Sequence, residues 1–138
     1  MESITQELFD KAYQLACKTR LRAYAPYSNF LVGAVLVSKD GALYSGHNIE
    51  NASFGGTVCA ERVCFFHMLA RDGKKEPWFL VLVTEPKAIP CGFCLQVMNE
   101  FCSPDFPIFL TDTHGAKEKL SLKQLLPYRF DPDFLPQK

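Results

Sequence analysis

Two short stretches of this chain, Cys59-Ala60-Glu61-Arg62 and Pro90-Cys91-Gly92-Phe93-Cys94, contain residues of types and spacing that could do chemistry together. Thiolates are soft ligands suited to zinc, and Cys59, Cys91 and Cys94 supply one fewer than the four that close a structural zinc site. An open fourth position is what a metal needs in order to activate water. Glu61, two residues from Cys59, is a carboxylate in place to carry that water's proton. The pattern points to a catalytic zinc together with its proton carrier. A structural zinc would usually show two cysteine pairs or a Cys/His fourth ligand at matched spacing. A redox Cys-x-x-Cys leaves Cys59 and Glu61 unexplained.

The positions of these residues on helices sharpen the reading. A helix capped by Thr57 puts Cys59 in its first turn, and a helix starting near Gly92 is flanked at its start by Cys91 and Cys94. Helix N-termini carry unpaired N–H groups and positive partial charge, which ease deprotonation of a thiol. Cys64, about 140° around an ideal helix from Cys59, and Cys102, on the order of 12 Å beyond Cys94, are expected to be buried thiols outside the site. Deep in a helix, residues 59 and 61 would point to nearly opposite sides; in a first turn both can border the open mouth. Three thiolates with Zn²⁺ sum to a charge of −1, and Arg62 is spaced to hydrogen-bond them and offset it. Read alone, Glu61 would be a charge stabilising a helix start and Arg62 a surface arginine. Nothing assigns chemistry to His47, His67 or His114.

The elements that must position this set alternate along the chain. Ser3 begins a Ser-x-x-Gln capping box with Gln6 for a first helix that ends near Tyr24, before Pro26. Residues 30–37 read as a buried strand, Lys39-Asp40-Gly41 as a hairpin turn and residues 43–49 as the partner strand. Asn51 to Gly56 reads as a loosened loop. The second helix runs to about Arg71 and stops at Asp72-Gly73. Strands follow at Trp78–Val83 and Pro107–Leu110, with the third helix between them and its inner face at Leu95, Val97, Met98 and Phe101. Lys117 to Leu120 is a short fifth strand, and Ser121 caps a short helix holding Leu122 and Leu125. The order implies a single domain, residues 1–138, with a three-layer α/β/α sandwich around a mixed, mostly five-stranded sheet.

Composition narrows the function classes. The chain has 138 residues, 48% of them hydrophobic and 13% aromatic, which argues for a folded core. Its formal net charge is zero, and its basic residues form no stripe, so no nucleic-acid partner is expected. No signal peptide and no membrane-spanning run is visible, so the expected compartment is the cytoplasm. There the six cysteines suit metal ligation and buried thiols better than disulfides.

At these residues the chain closely resembles the zinc-dependent, homotetrameric cytidine deaminases. Five stretches in order carry the resemblance: Ala25-Pro26-Tyr27-Ser28-Asn29-Phe30-Leu31-Val32-Gly33-Ala34, Asn48-Ile49-Glu50-Asn51-Ala52, Thr57 to Arg62, Pro90 to Cys94, and Leu125-Leu126-Pro127-Tyr128-Arg129-Phe130. The resemblance implies hydrolytic deamination of cytidine and deoxycytidine to uridine and deoxyuridine, with release of ammonia, in pyrimidine salvage. It implies that Phe30 packs beside the nucleoside and that Asn48 and Glu50 hydrogen-bond the ribose hydroxyls. It also implies that the Ala60 backbone contacts the pyrimidine carbonyl, and that Phe54 and Phe130 approach an active site across a subunit interface. One departure stands out: Leu95-Gln96 follows the last ligand where the family usually has Arg-Gln. Ile89 before Pro90 is a milder one. The alternatives are a deaminase of modified cytosine nucleosides or blasticidin-type antibiotics and a non-catalytic zinc-stabilised binding protein.

Overall fold

The computed structural model describes residues 3–136. Four helices and five strands run in the order α1 (Gln6–Arg20), β1 (Gly33–Ser38), β2 (Leu43–His47), α2 (Ala60–Asp72), β3 (Pro77–Val83), α3 (Gly92–Phe101), β4 (Pro107–Thr111), β5 (Lys117–Ser121) and α4 (Leu122–Leu125). The strands form one sheet in the order β2-β1-β3-β4-β5. β3 and β4 are parallel, joined through α3, and the other pairs are antiparallel.

The three layers follow from the two-residue period of the strands. Ala34, Leu36, Leu80, Leu82, Ile108 and Leu110 face one side and pack with Cys64, Phe65, Met68, Met98 and Leu122 of α2, α3 and α4. Val35, Val37, Phe79, Val81, Val83 and Phe109 face the other and pack against Phe9, Ala12 and Ala16 of α1. Strands covered on both faces have no polar side to show, so β1 and β3 read as unbroken apolar runs. This is the expected α/β/α sandwich with a mixed sheet.

Several boundaries differ from the sequence reading, each for a local reason. The first helix is capped by Thr5, whose hydroxyl accepts from the Leu8 N–H at 3.1 Å, rather than by a Ser3–Gln6 box. It ends at Arg20 because Tyr24 is drawn into a bridge with Ile49. β1 begins at Gly33, not residue 30. The preceding residues are held by the Asn48 side chain, which accepts from Val32 N–H at 3.0 Å and donates to the Phe30 carbonyl at 2.8 Å. α2 is capped by Cys59, not Thr57. Val58 is still extended, paired with Ile49 at 2.9 Å, and the Thr57 hydroxyl accepts from Asn51 N–H instead. The stretch from Asn51 is not loosened: Asn51 Oδ1 accepts from Ser53 N–H, and Phe54–Gly56 form a 3-10 turn.

Candidate active site

The starts of α2 and α3 bring the metal-type residues together. Cys59 and Cys91 are the N-caps of the two helices, with extended backbones, and neither side chain caps its own helix. Both sulfurs are therefore free to face the helix mouths, where the first N–H groups lack intrahelical partners. Cys94, in the first turn of α3, is fully buried. The sulfurs of Cys59 and Cys91 are 3.7 Å apart, those of Cys91 and Cys94 are 3.4 Å apart, and all three lie within 4.8 Å of one another. Ligands about 2.3 Å from a tetrahedral zinc stand roughly 3.8 Å apart, so this donor set fits zinc in both chemistry and spacing. Among the described residues no other group of three or more His, Cys, Asp or Glu side chains converges in this way.

The sulfurs share charge unequally. A hydrogen bond from the Cys94 thiol pulls Cys59 down to about 5 against the opposing effect of burial, with Arg62 and Cys91 helping. Cys94, facing the Cys59 sulfur, is pushed well up. Cysteine binds metal as thiolate, so metal binding displaces the protons that these sulfurs carry. Arg62 Nη2 donates to the Cys59 sulfur at 3.6 Å and to the Thr57 carbonyl at 3.4 Å, and its guanidinium lies 5.8 Å from the Phe93 ring centre. The arginine is therefore tied to the cluster rather than free at the surface. Its Nε is buried without a partner.

Glu61 is the second residue of α2 and only 4% exposed. Because Cys59 has an extended backbone, the helical angle between positions 59 and 61 does not apply, and both side chains reach the same mouth. Desolvation is the main cause that lifts the Glu61 carboxyl to about 7; its own backbone N–H opposes the rise and the charge on Cys59 adds to it. Cys64 and Cys102 stay out of the cluster, as expected. Cys64 is sealed in the core, and burial pushes the Cys102 thiol up. Leu95 is buried in the same core cluster as Cys64, Phe65 and Met98, so an apolar core residue stands where the resembled family usually carries arginine.

The remaining sequence candidates surround this mouth or lie at the surface. Asn48 is 7% exposed and Phe30 is 38% exposed. Ala60 is buried, and as the first residue of α2 its N–H has no intrahelical acceptor. The Glu50 carboxylate accepts from the N–H groups of Tyr27 at 2.9 Å and Ser28 at 3.1 Å, and from the Ser28 hydroxyl. A cavity of about 240 Å³ is lined by Tyr27, Ser28, Glu50, Asn51, Phe54 and Thr57. Phe54 is 78% exposed and meets Tyr27 edge-on at 6.3 Å. Phe130, 56% exposed, stacks on Phe134, and its carbonyl accepts from Gln96 and Asn99 of α3. A larger groove, about 1020 Å³, lies by the start of α1 and shares no residue with this site.

Two residues of the site were not singled out from the sequence. Gly46 of β2 lets α2 approach: a Cβ there would stand 2.6 Å from the Ala60 carbonyl oxygen. Ser28 binds Glu50 on one side and accepts from Phe30 N–H at 3.0 Å on the other. Ser28 lies inside the first of the resembling stretches, whereas a glycine within a strand is a signal of close backbone approach that does not name the neighbour.

Comparison with known proteins agrees with this geometry. The family described as the cytidine and deoxycytidylate deaminase zinc-binding region matches residues 6–110. The cytidine deaminase of Sporosarcina psychrophila is 43% identical over 120 residues, spanning 86% of this chain and 88% of the relative. That of Halalkalibacterium halodurans is 41% identical over 117 residues, 83% of this chain and 88% of the relative. The crystal structure of cytidine deaminase from Burkholderia pseudomallei superposes with a TM-score of 0.83 at 38% identity, covering 92% of this chain and all of the other.

Proposed function

This chain belongs to the cytidine and deoxycytidylate deaminase family, and on that premise we propose that it hydrolyses cytidine and deoxycytidine to uridine and deoxyuridine, releasing ammonia. The observation that carries the proposal is the buried Glu61 carboxyl at the mouth where the sulfurs of Cys59, Cys91 and Cys94 converge. Those sulfurs hold zinc. Bound there, zinc supplies the Lewis acidity that lets water act as a nucleophile near neutral pH.

The chain's own residues do the rest. Glu61 takes a proton from the attacking water and delivers it to N3 of the ring, which makes C4 more electrophilic. The water oxygen bonds to C4, and Glu61 then moves the proton of the new C4 hydroxyl to the amine, so the C–N bond breaks, the C4 carbonyl forms and neutral ammonia leaves. A carboxyl whose burial raises its pKa towards neutrality is suited to both transfers. The Ala60 N–H meets the pyrimidine carbonyl, and Phe30 supplies an apolar wall. The Asn48 amide uses one N–H on Phe30 and keeps the other for the sugar, as Glu50 keeps part of its carboxylate. Arg62 offsets the excess thiolate charge.

The chain acts as one catalytic domain, in the cytosol, in pyrimidine salvage, and it assembles as a homotetramer. The exposed Phe54, Phe93, Tyr128, Phe130 and Phe134 support assembly, because aromatic surface of this extent favours burial between subunits. Six cysteines outside disulfides, three of them the zinc ligands, support a reducing compartment. No described helix is long and apolar enough to cross a membrane. The test is a panel of cytidine, deoxycytidine and N4-modified cytosine nucleosides, with native mass measured in parallel. Turnover of the first two by a tetramer is expected. Turnover of modified nucleosides alone would contradict the substrate assignment, and a stable monomer the assembly.

A further inference from the structure

Glu50 is a half-buried carboxylate on a loop, a setting in which a side chain without partners would sample several rotamers. Here it is fixed. Oε1 accepts the N–H groups of Tyr27 and Ser28, at 2.9 and 3.1 Å, and Oε2 accepts the Ser28 hydroxyl. A carboxylate offers about four acceptor positions, so these donors fill all but one, and the vacancy is on Oε2. The same Ser28 Oγ accepts from Phe30 N–H at 3.0 Å. The turn that brings these groups together has Asn29 at φ 58, a left-handed conformation that asparagine tolerates. Beyond it, the Asn48 side chain grips Phe30 and Val32. The cavity of about 240 Å³ opens beside Ser28 and Glu50.

We propose that Ser28 is the positioning residue for Glu50, aiming Oε2 so that the carboxylate reads a single sugar hydroxyl. The inference rests on the assignment of Glu50 to the sugar in the preceding section. Ser28 also links that contact to Phe30, so loosening Glu50 loosens the apolar wall beside the nucleoside as well. The hydrogen bond from Ser28 is the largest cause holding the Glu50 carboxyl below its usual range, which keeps it an acceptor rather than a donor.

The test compares Ser28→Ala, Ser28→Thr and Glu50→Gln on cytidine, 2′-deoxycytidine and 3′-deoxycytidine, with kcat and KM separated and melting curves recorded. For the wild type, removing the hydroxyl that Glu50 reads raises KM and removing the other changes it little. In Ser28→Ala, kcat/KM on cytidine falls roughly tenfold, mostly through KM, the loss expected for a hydrogen bond to a charged group. That loss vanishes on the analogue lacking the hydroxyl that is read. Ser28→Thr, which keeps the hydroxyl donor, recovers most of it. A Ser28→Ala loss of equal size on all three substrates would mean that the serine only supports the loop, and would overturn the proposal. If Glu50→Gln shows hydroxyl dependence and Ser28→Ala does not, Ser28 alone is misassigned. If Glu50→Gln shows none, the sugar role of Glu50 fails and the inference fails with it.

Discussion

Replacing Gly46 by alanine tests how the sheet sets the site. An ideal Cβ at this position stands 2.6 Å from the Ala60 carbonyl oxygen, 2.9 Å from Cys64 N and 3.0 Å from Cys64 Sγ. Two of these atoms are backbone, so no flexible side chain can yield. An ordinary carbon–oxygen contact is about 3.4 Å, so the first turn of α2 must retreat by about 0.8 Å. Ala60 sits between Cys59 and Glu61, and the retreat shifts a proposed ligand and the proposed proton carrier relative to the start of α3. Overpacking of this kind costs about 1–3 kcal/mol. For a domain of this size that lowers Tm by roughly 4–12 °C. Misplacement approaching 1 Å at reacting groups lowers kcat on the order of 10- to 100-fold. The assays are a melting curve, zinc content and turnover, with Gly55→Ala as the matched control because a Cβ at Gly55 meets nothing within 4 Å. Wild-type Tm and kcat in Gly46→Ala would refute the argument that close β2–α2 contact positions the site.

Other expectations follow from the same geometry. Cys59→Ser or Cys94→Ser should lose bound zinc, whereas Cys64→Ala should keep it while melting earlier, as metal analysis and thermal melts would show. Arg62→Gln removes the cation from the Cys59 sulfur and should weaken zinc retention or turnover roughly 10- to 100-fold, read by chelator competition and rate. The Tyr44 hydroxyl, donating at 2.7 Å, and then Arg71 hold Asp72 below the ordinary carboxylate value. That stabilisation is present above the unfolded pKa and is lost as pH falls through the lower folded value. Asp72→Asn should therefore flatten the acid limb of the Tm–pH curve below about pH 4.

Much of this was legible in the sequence because the strongest signals were periodic or local. Buried strands such as β1 and β3 announce themselves as apolar runs, and Ser121 is the expected cap of α4, to which the structure adds a reciprocal contact from Gln124. The convergence of the metal-type cysteines was legible because two helix starts are natural places for thiolates. What the sequence left hidden depended on long-range partners. Thr57 is a good cap by type, yet pairing of Val58 with Ile49 keeps that stretch extended and hands the cap to Cys59. Residues 30–32 carry a strand's composition, but the Asn48 side chain takes the place of a neighbouring strand. Ser28 could not be tied to Glu50 by spacing, because 22 residues separate them.

The most direct measurement is ammonia release from cytidine by zinc-loaded wild type beside zinc-loaded Glu61→Gln, with metal content determined in both. The expected result is release by the wild type, at least about 10²-fold less by Glu61→Gln, and equal zinc in the two. Comparable release by both proteins would contradict the role of Glu61 in moving the proton. No release from folded, zinc-bearing wild type would contradict the deaminase assignment itself.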